Sequence, residues 1–217
     1  SDADIGFCDG NGDSILHAAV ATCQTDLVLK LIGYGTDVHH KNKSGKTAIF
    51  EAVDQGSVEL FKILKDSGAQ LNIKEKDNDE ALLHKALKSG NGEIVKLIVD
   101  TNVDMNTESK SHDTLLHFAA YSDENLCFVD NLISNGCDID CSNDSGETAL
   151  LIAASKGSVK IVELLLEASC DVNISNNSNE TALHKAVGIG SEDIVKMLLD
   201  DPFINADMKD NSGHTAL

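Results

Sequence analysis

Thr181-Ala182-Leu183-His184-Lys185-Ala186 recurs along the chain, in variant form, at an almost fixed interval. The same grammar stands in Ser14-Ile15-Leu16-His17-Ala18-Ala19, Thr47-Ala48-Ile49-Phe50-Glu51-Ala52 and Ala81-Leu82-Leu83-His84-Lys85-Ala86. It continues in Thr114-Leu115-Leu116-His117-Phe118-Ala119 and Thr148-Ala149-Leu150-Leu151-Ile152-Ala153, and Thr215-Ala216-Leu217 opens one more copy. Measured at the fourth position, the anchors fall at 17, 50, 84, 117, 151 and 184, a period of 33 or 34 residues. After most anchors come a breaker such as Gly56-Ser57, Gly157-Ser158 or Gly190-Ser191 and then a second apolar run. Leu60-Phe61-Lys62-Ile63-Leu64 and Ile161-Val162-Glu163-Leu164-Leu165 carry apolar residues at helical spacing. A polar finger of the type Gly68-Ala69-Gln70-Leu71-Asn72 or Ser169-Cys170-Asp171-Val172-Asn173 closes the unit. Each repeat therefore reads as helix, tight turn, helix, extended finger.

This period and grammar resemble the ankyrin repeat, from Asn11 to the last residue. The resemblance implies an all-α solenoid of stacked antiparallel helix pairs with projecting β-hairpin fingers. It implies one array over 1–217, with repeats at about 11–43, 44–77, 78–110, 111–144, 145–177 and 178–211, and 212–217 opening a seventh. Three departures predict local irregularity. Repeat 2 has a finger one residue longer near Lys74–Asp79. Repeat 4 carries an extra residue in its Tyr121–Leu126 turn. Asp201-Pro202-Phe203 replaces the usual glycine-led ending of repeat 6. The finger glycine stands as Gly12, Gly45, Gly146 and Gly213; Asp79, His112 and Asn179 take its place elsewhere, and these types tolerate positive φ.

All 17 basic residues are lysines, against 36 acids, for a net charge of −19. That balance argues against nucleic acid or an anionic membrane as partner, since phosphate binding needs a basic surface. It permits a basic protein partner, and a protein with a basic segment is the expected one. The acidity is uneven: residues 111–217 hold 5 lysines and 18 acids, and the stretch Ser111–Ser155 has eight acids and no base. No apolar run approaches the roughly 20 residues that cross a bilayer. The six cysteines are irregularly spaced, and Cys137 and Cys170 align with a small buried finger residue. Reduced thiols in a cytoplasmic, intracellular protein are expected.

No residues are expected to be catalytic, to bind a cofactor or to hold a metal. His17, His84, His117 and His184 recur once per repeat, so they form a ladder about 10 Å apart rather than converging. The resemblance implies that each braces its own turn. Cys137 and Cys141 lack the spacing of a zinc site, and His39-His40 reads as a solvated loop pair. No phosphate-cradling glycine loop is present.

The resemblance places partner binding on the finger tips and on the last turn of each first helix, along the concave face. Carried over by position, that surface includes Asp77, Asn78, Glu80 and Lys88 of repeat 3 and Lys110, Asp113, Tyr121 and Ser122 of repeats 3 and 4. Repeats 5 and 6 add Asp144, Ser145, Glu147, Ser155, Lys156, Glu180 and Ile189. The expected function is a protein–protein interaction module, a monomer or part of a larger polypeptide, because neither end carries a polar capping repeat. The alternative is a dedicated acidic inhibitor, since Gly12-Asp13-Ser14-Ile15-Leu16-His17 resembles the first repeat of the NF-κB inhibitors.

Overall fold

A Ser or Thr in extended conformation followed by Ala, Leu or Ile starts five of the six first helices, and Ala81 stands there in the third repeat: the N-cap frees the chain from the finger, and good helix formers follow. The structure, a computed structural model, describes residues 7–101, 103, 104 and 107–217. The first six residues of the array and positions 102, 105 and 106 of the third repeat lie outside them. The chain divides into two compact units, 1–107 and 108–217.

In the first unit, α1 (Ile15–Ala21) and α2 (Thr25–Gly33) form one pair, α3 (Ala48–Asp54) and α4 (Val58–Asp66) the next, and α5 (Leu82–Ser89) and α6 (Gly92–Val99) the third. First helices pack on first helices, α1 on α3 on α5, and α2, α4 and α6 follow in a second layer. The second unit repeats the plan with α7 (Leu115–Ala119) and α8 (Leu126–Ser134), α9 (Ala149–Lys156) and α10 (Val159–Glu167), and α11 (Ala182–Ile189) and α12 (Glu192–Asp200).

The period fixes the core. The third anchor position, Leu16, Ile49, Leu83, Leu116, Leu150 and Leu183, is buried in every repeat, and each such side chain contributes about 1.5–3 kcal/mol. The sixth position is always alanine, buried where helices approach closely. The seventh shows what stacking does. Val20, Val53, Leu87, Ala120 and Ala154 are fully buried, whereas Val187, with no helix pair beyond it, is 37% exposed.

The irregularities fall where expected. Antiparallel bridges close the fingers between residues six apart, Cys8 with Ser14, Ser175 with Thr181 and Lys209 with Thr215, but seven apart in the longer finger, Lys74 with Ala81. In repeat 4 the first helix is cut to five residues, and a 3-10 turn, Asp123–Asn125, absorbs the insertion. At the end of α12, Asp201 is extended (φ −68°), whereas Gly35, Gly68, Gly136 and Ser169 turn left-handed after α2, α4, α8 and α10. The projecting fingers are minimal hairpins: among the described residues they hold isolated antiparallel bridges rather than strand ladders. The physical reason is a side-chain staple. Asp9, Asn143, Asn176 and Asp210 each accept two backbone N–H groups from the turn that follows, and the Ser109 hydroxyl does the same. The tip is thus held as a tight turn rather than as paired strands.

The missing histidine of repeat 2 leaves a mark. Ser14, Thr114 and Thr181 place their hydroxyls 2.9 Å from Nδ1 of the anchor histidine. Phe50 fills that slot in repeat 2, and the Thr47 hydroxyl is buried with no partner among the described residues. Thr47→Val is expected to raise the unfolding free energy by about 1 kcal/mol, and Thr114→Val to lower it by about as much, because only the first removes an unsatisfied group. Urea denaturation midpoints check the pair.

All six cysteines are free thiols. Cys170 is buried as expected, but Cys137 is only half-buried. Burial, reinforced by the Asp140 and Asp201 carboxylates, pushes the Cys170 thiol up to about 12. Because the thiolate is the reactive form, Cys170 should be alkylated at least ~100-fold more slowly than the exposed Cys23 and Cys127 in the native protein. Timed alkylation followed by peptide mass spectrometry reads the order.

Candidate interaction face

The histidines are architectural. In each of His17, His84, His117 and His184, Nδ1 accepts the backbone N–H of the residue three positions earlier, at 3.1–3.3 Å. Nε2 faces a finger carbonyl, that of Lys46, Thr107, Glu147 or His214 respectively. A carbonyl only accepts, so the ring is neutral and carries its proton on Nε2. His40 corrects the sequence reading. It is half-buried, donates to the Gly12 carbonyl at 2.9 Å, and meets Cys8 Sγ at 3.4 Å and the His17 ring edge-on at 5.8 Å. It fills a slot taken by Ile73, Cys141 and Ile174 in other repeats. Among the described residues no three His, Cys, Asp or Glu side chains gather as a metal site would require.

In the first unit, Asp77 and Lys88 are exposed and Asn78 and Glu80 half-buried. The cations deeper on this face are held by their neighbours: Lys46 pairs with the buried Glu75 at 3.0 Å and Lys85 with Asp54 at 2.9 Å. Burial alone would lower the Lys46 pKa; the bond to Glu75 and the surrounding carboxylates raise it instead.

In the second unit three rows run across the repeats. The finger row holds Asp113, Glu147 and Glu180, with Lys110, Asp144 and Ser145 exposed at the tips. The helix row holds Phe118, Ile152 and Lys185. The row at the end of the first helices holds Tyr121 and Ser122, Ser155 and Lys156, and the exposed Ile189. The fingers are tied to one another, since Asp144 N–H donates to the Ser111 carbonyl, Asn177 N–H to Ser145, and Asn211 N–H to Ser178, all at 3.0 Å.

Several candidates have structural duties that residue type did not reveal. Asp113 accepts the Asn143 amide at 2.6 Å and the Ser109 hydroxyl at 3.1 Å, and so braces two fingers. The Ser122 hydroxyl accepts from Glu124 N–H, and the Ser155 hydroxyl donates to the Ile152 carbonyl. Glu180 bonds Lys185 at 2.6 Å and Asn176 at 2.9 Å; the Lys185 bond foremost holds its carboxyl below the usual range. At the tip of repeat 4, His112 pairs with Asp144 at 2.8 Å, and that hydrogen bond raises the His112 pKa.

The central group is aromatic. Tyr121 is half-buried, with Phe118 stacked 6.4 Å away between centroids and Lys156 Nζ 5.0 Å from the centre of its ring. Sequence reasoning missed Phe118 and Lys185, although both stand one place after the anchor histidine. It also missed Asp123, whose carboxylate accepts the N–H groups of Lys160 and Ile161 at the start of α10.

The family model for ankyrin repeats matches in three copies, over residues 1–75, 70–141 and 116–212. The chain belongs to the ankyrin-repeat family. Among solved structures, the human ASB11 ankyrin repeat domain aligns over 94% of this chain and 90% of its own, with a TM-score of 0.77 at 24% identity. The ankyrin repeat domain of Bcl-3, described as a unique member of the IkappaB protein family, aligns over 95% of this chain and 93% of its own, with a TM-score of 0.64 at 25% identity. Sequence relatives are local. A potassium channel, AKT1, from Oryza sativa is 34% identical over 64 residues, 29% of this chain and 7% of the channel. An ankyrin repeat-containing protein of Schizosaccharomyces pombe is also 34% identical over 64 residues, 30% of this chain and 31% of its own length. The matched segments thus span less than a third of either relative. Ankyrin repeats form a family of non-catalytic scaffolds that bind other proteins. Among the described residues, no helix is long and apolar enough to cross a membrane.

Proposed function

We propose that this ankyrin array binds another protein through the finger-side face of residues 108–217, that the bound element is a basic segment, and that no reaction is catalysed. The observation that carries this reading is the charge. The stretch 111–155 has eight acids and no base, among them the exposed Asp144 and the half-buried Glu147, and family position assigns these acids to the same side of the array as Tyr121. Exposed carboxylates steer a basic partner to the face, and a central aromatic holds it there. Asp77, Asn78, Glu80 and Lys88 are the corresponding positions of the first unit and form a candidate contact surface of that unit alone. The array acts in the cytoplasm as one module of a larger polypeptide, much as the matched segment is a small part of the AKT1 channel.

A dedicated inhibitor is the second reading. It is favoured by the likeness to the Bcl-3 domain over nearly the whole of both chains.

The test is a pull-down with three forms of the chain. Wild type and a Glu163→Lys/Glu167→Lys variant, altered on exposed positions of the second helix layer, should retain the same protein. A Tyr121→Ala/Glu147→Lys variant should lose it, because truncating a central aromatic alone weakens binding by about 30-fold. Equal retention by all three forms contradicts the placement of the site.

A further inference from the structure

We propose that the Tyr121 ring is the seat of one arginine side chain of the basic partner, and that Lys156 occupies that seat when no partner is bound. The inference rests on the face assigned above and adds the chemistry of its central contact. An aromatic face is electronegative and attracts a cation within about 6 Å of its centre. Lys156 Nζ stands 5.0 Å from that centre. It is the first base after Lys110, on a surface rich in carboxylates, yet none of the ion pairs among the described residues includes it. The lysine therefore lies on the ring instead of closing on an acid. Phe118, only 3% exposed, backs the tyrosine and fixes its position.

A guanidinium suits this place better than the ammonium that fills it. It is planar, less strongly hydrated, able to stack on the ring, and its five donors reach carboxylates at the same time. Residues 1–217 contain no arginine, so an arginine on Tyr121 comes from outside them. Lys156 competes for the ring, keeps it covered in the free protein, and is displaced on binding.

The experiment uses the whole chain, labelled on the backbone nitrogens and on the tyrosine rings, with NMR detection. The protein has only Tyr34 and Tyr121, and Tyr34 belongs to the other unit, so it serves as an internal reference. The probes are acetylated octa-arginine amide and octa-lysine amide. Octa-arginine should shift the Tyr121 ring signals saturably and leave those of Tyr34 in place, and it should bind at least ~3-fold more tightly than octa-lysine. Lys156→Met should tighten octa-arginine by about 2- to 5-fold, the range expected for removing one solvent-accessible cation–ring contact. Lys160→Met makes the same change of charge on the next helix and should give less than half of that gain. Equal gains in the two variants, or octa-lysine binding as tightly as octa-arginine, overturn the seat. Peptide signals that map to the fingers of 108–217 without moving Tyr121 overturn the seat and leave the proposed face standing. Signals that avoid 108–217 altogether overturn both.

Discussion

His84→Ala is expected to lower the unfolding free energy by about 3 kcal/mol. The side chain is fully buried, and its two nitrogens satisfy Ala81 N–H at 3.1 Å and the Thr107 carbonyl at 3.0 Å. Alanine strands both groups and leaves a void, and each orphaned buried group costs about 1–3 kcal/mol. His184→Ala should cost only about 1 kcal/mol, since that ring is half-buried and its Nε2 lies 3.3 Å from the His214 carbonyl, where water substitutes. His84→Leu should fall between them: Leu151 fills the same slot in repeat 5 and is fully buried. Guanidinium denaturation of the three variants provides the comparison, and a wild-type midpoint for His84→Ala would refute the brace.

The same geometry gives the array an acid limit. Burial holds the His117 pKa below its ordinary value of 6.5 despite the nearby carbonyls and acids. Between the folded value and 6.5 the unfolded chain binds the proton and the folded chain does not. The contribution of His117 is therefore complete above pH 6.5 and declines as pH falls through the folded value. Protonation would also turn Nδ1 into a donor and break the bond that it accepts from Thr114 N–H.

Gly146→Ala is expected to cost about 3 kcal/mol, against about 1 kcal/mol for Gly213→Ala. Both glycines are left-handed, at φ 74° and 81°, so both variants carry the same backbone strain, roughly 1 kcal/mol. They differ in what a Cβ meets. At Gly213 nothing lies within 4 Å, whereas at Gly146 it would stand 2.7 Å from Asn177 Oδ1 and 2.9 Å from Asn177 N. That nitrogen donates to the Ser145 carbonyl, the bond that ties the fingers of repeats 5 and 6. The methyl group must push the next finger away. Equal melting temperatures for the two variants would show that finger contact contributes nothing measurable.

The period made the helices, the core rows and the left-handed finger position legible. Asp79, His112 and Asn179 stand where four repeats have glycine, and all three turn left-handed, at φ 58°, 57° and 57°. Repetition reports burial and backbone shape at fixed positions, so the longer finger of repeat 2 and the inserted turn of repeat 4 were also readable. It does not report which side chains meet across 30 residues. The bracing of Asp113 by Asn143, the pairing of Lys46 with Glu75 and the packing of His40 between fingers depend on such meetings. The finger staples escaped notice for another reason. Asp, Asn and Ser all serve at Asp9, Ser109, Asn143, Asn176 and Asp210, so the position is constant in role and variable in type. At the candidate face, Tyr121 was legible as an aromatic near the middle of the array; the cation over it was not.

The measurement that bears most directly on the function is surface plasmon resonance of the retained partner at two salt concentrations. Exposed carboxylates accelerate encounter and are screened beyond about 10 Å at 0.1 M salt. Asp144→Asn/Glu147→Gln should therefore slow association and flatten its dependence on salt with dissociation little changed, while Tyr121→Ala should speed dissociation by about 30-fold or more. Association indifferent to salt, with affinity unchanged in both variants, would contradict the account and leave the acidity of 111–155 as a matter of solubility alone.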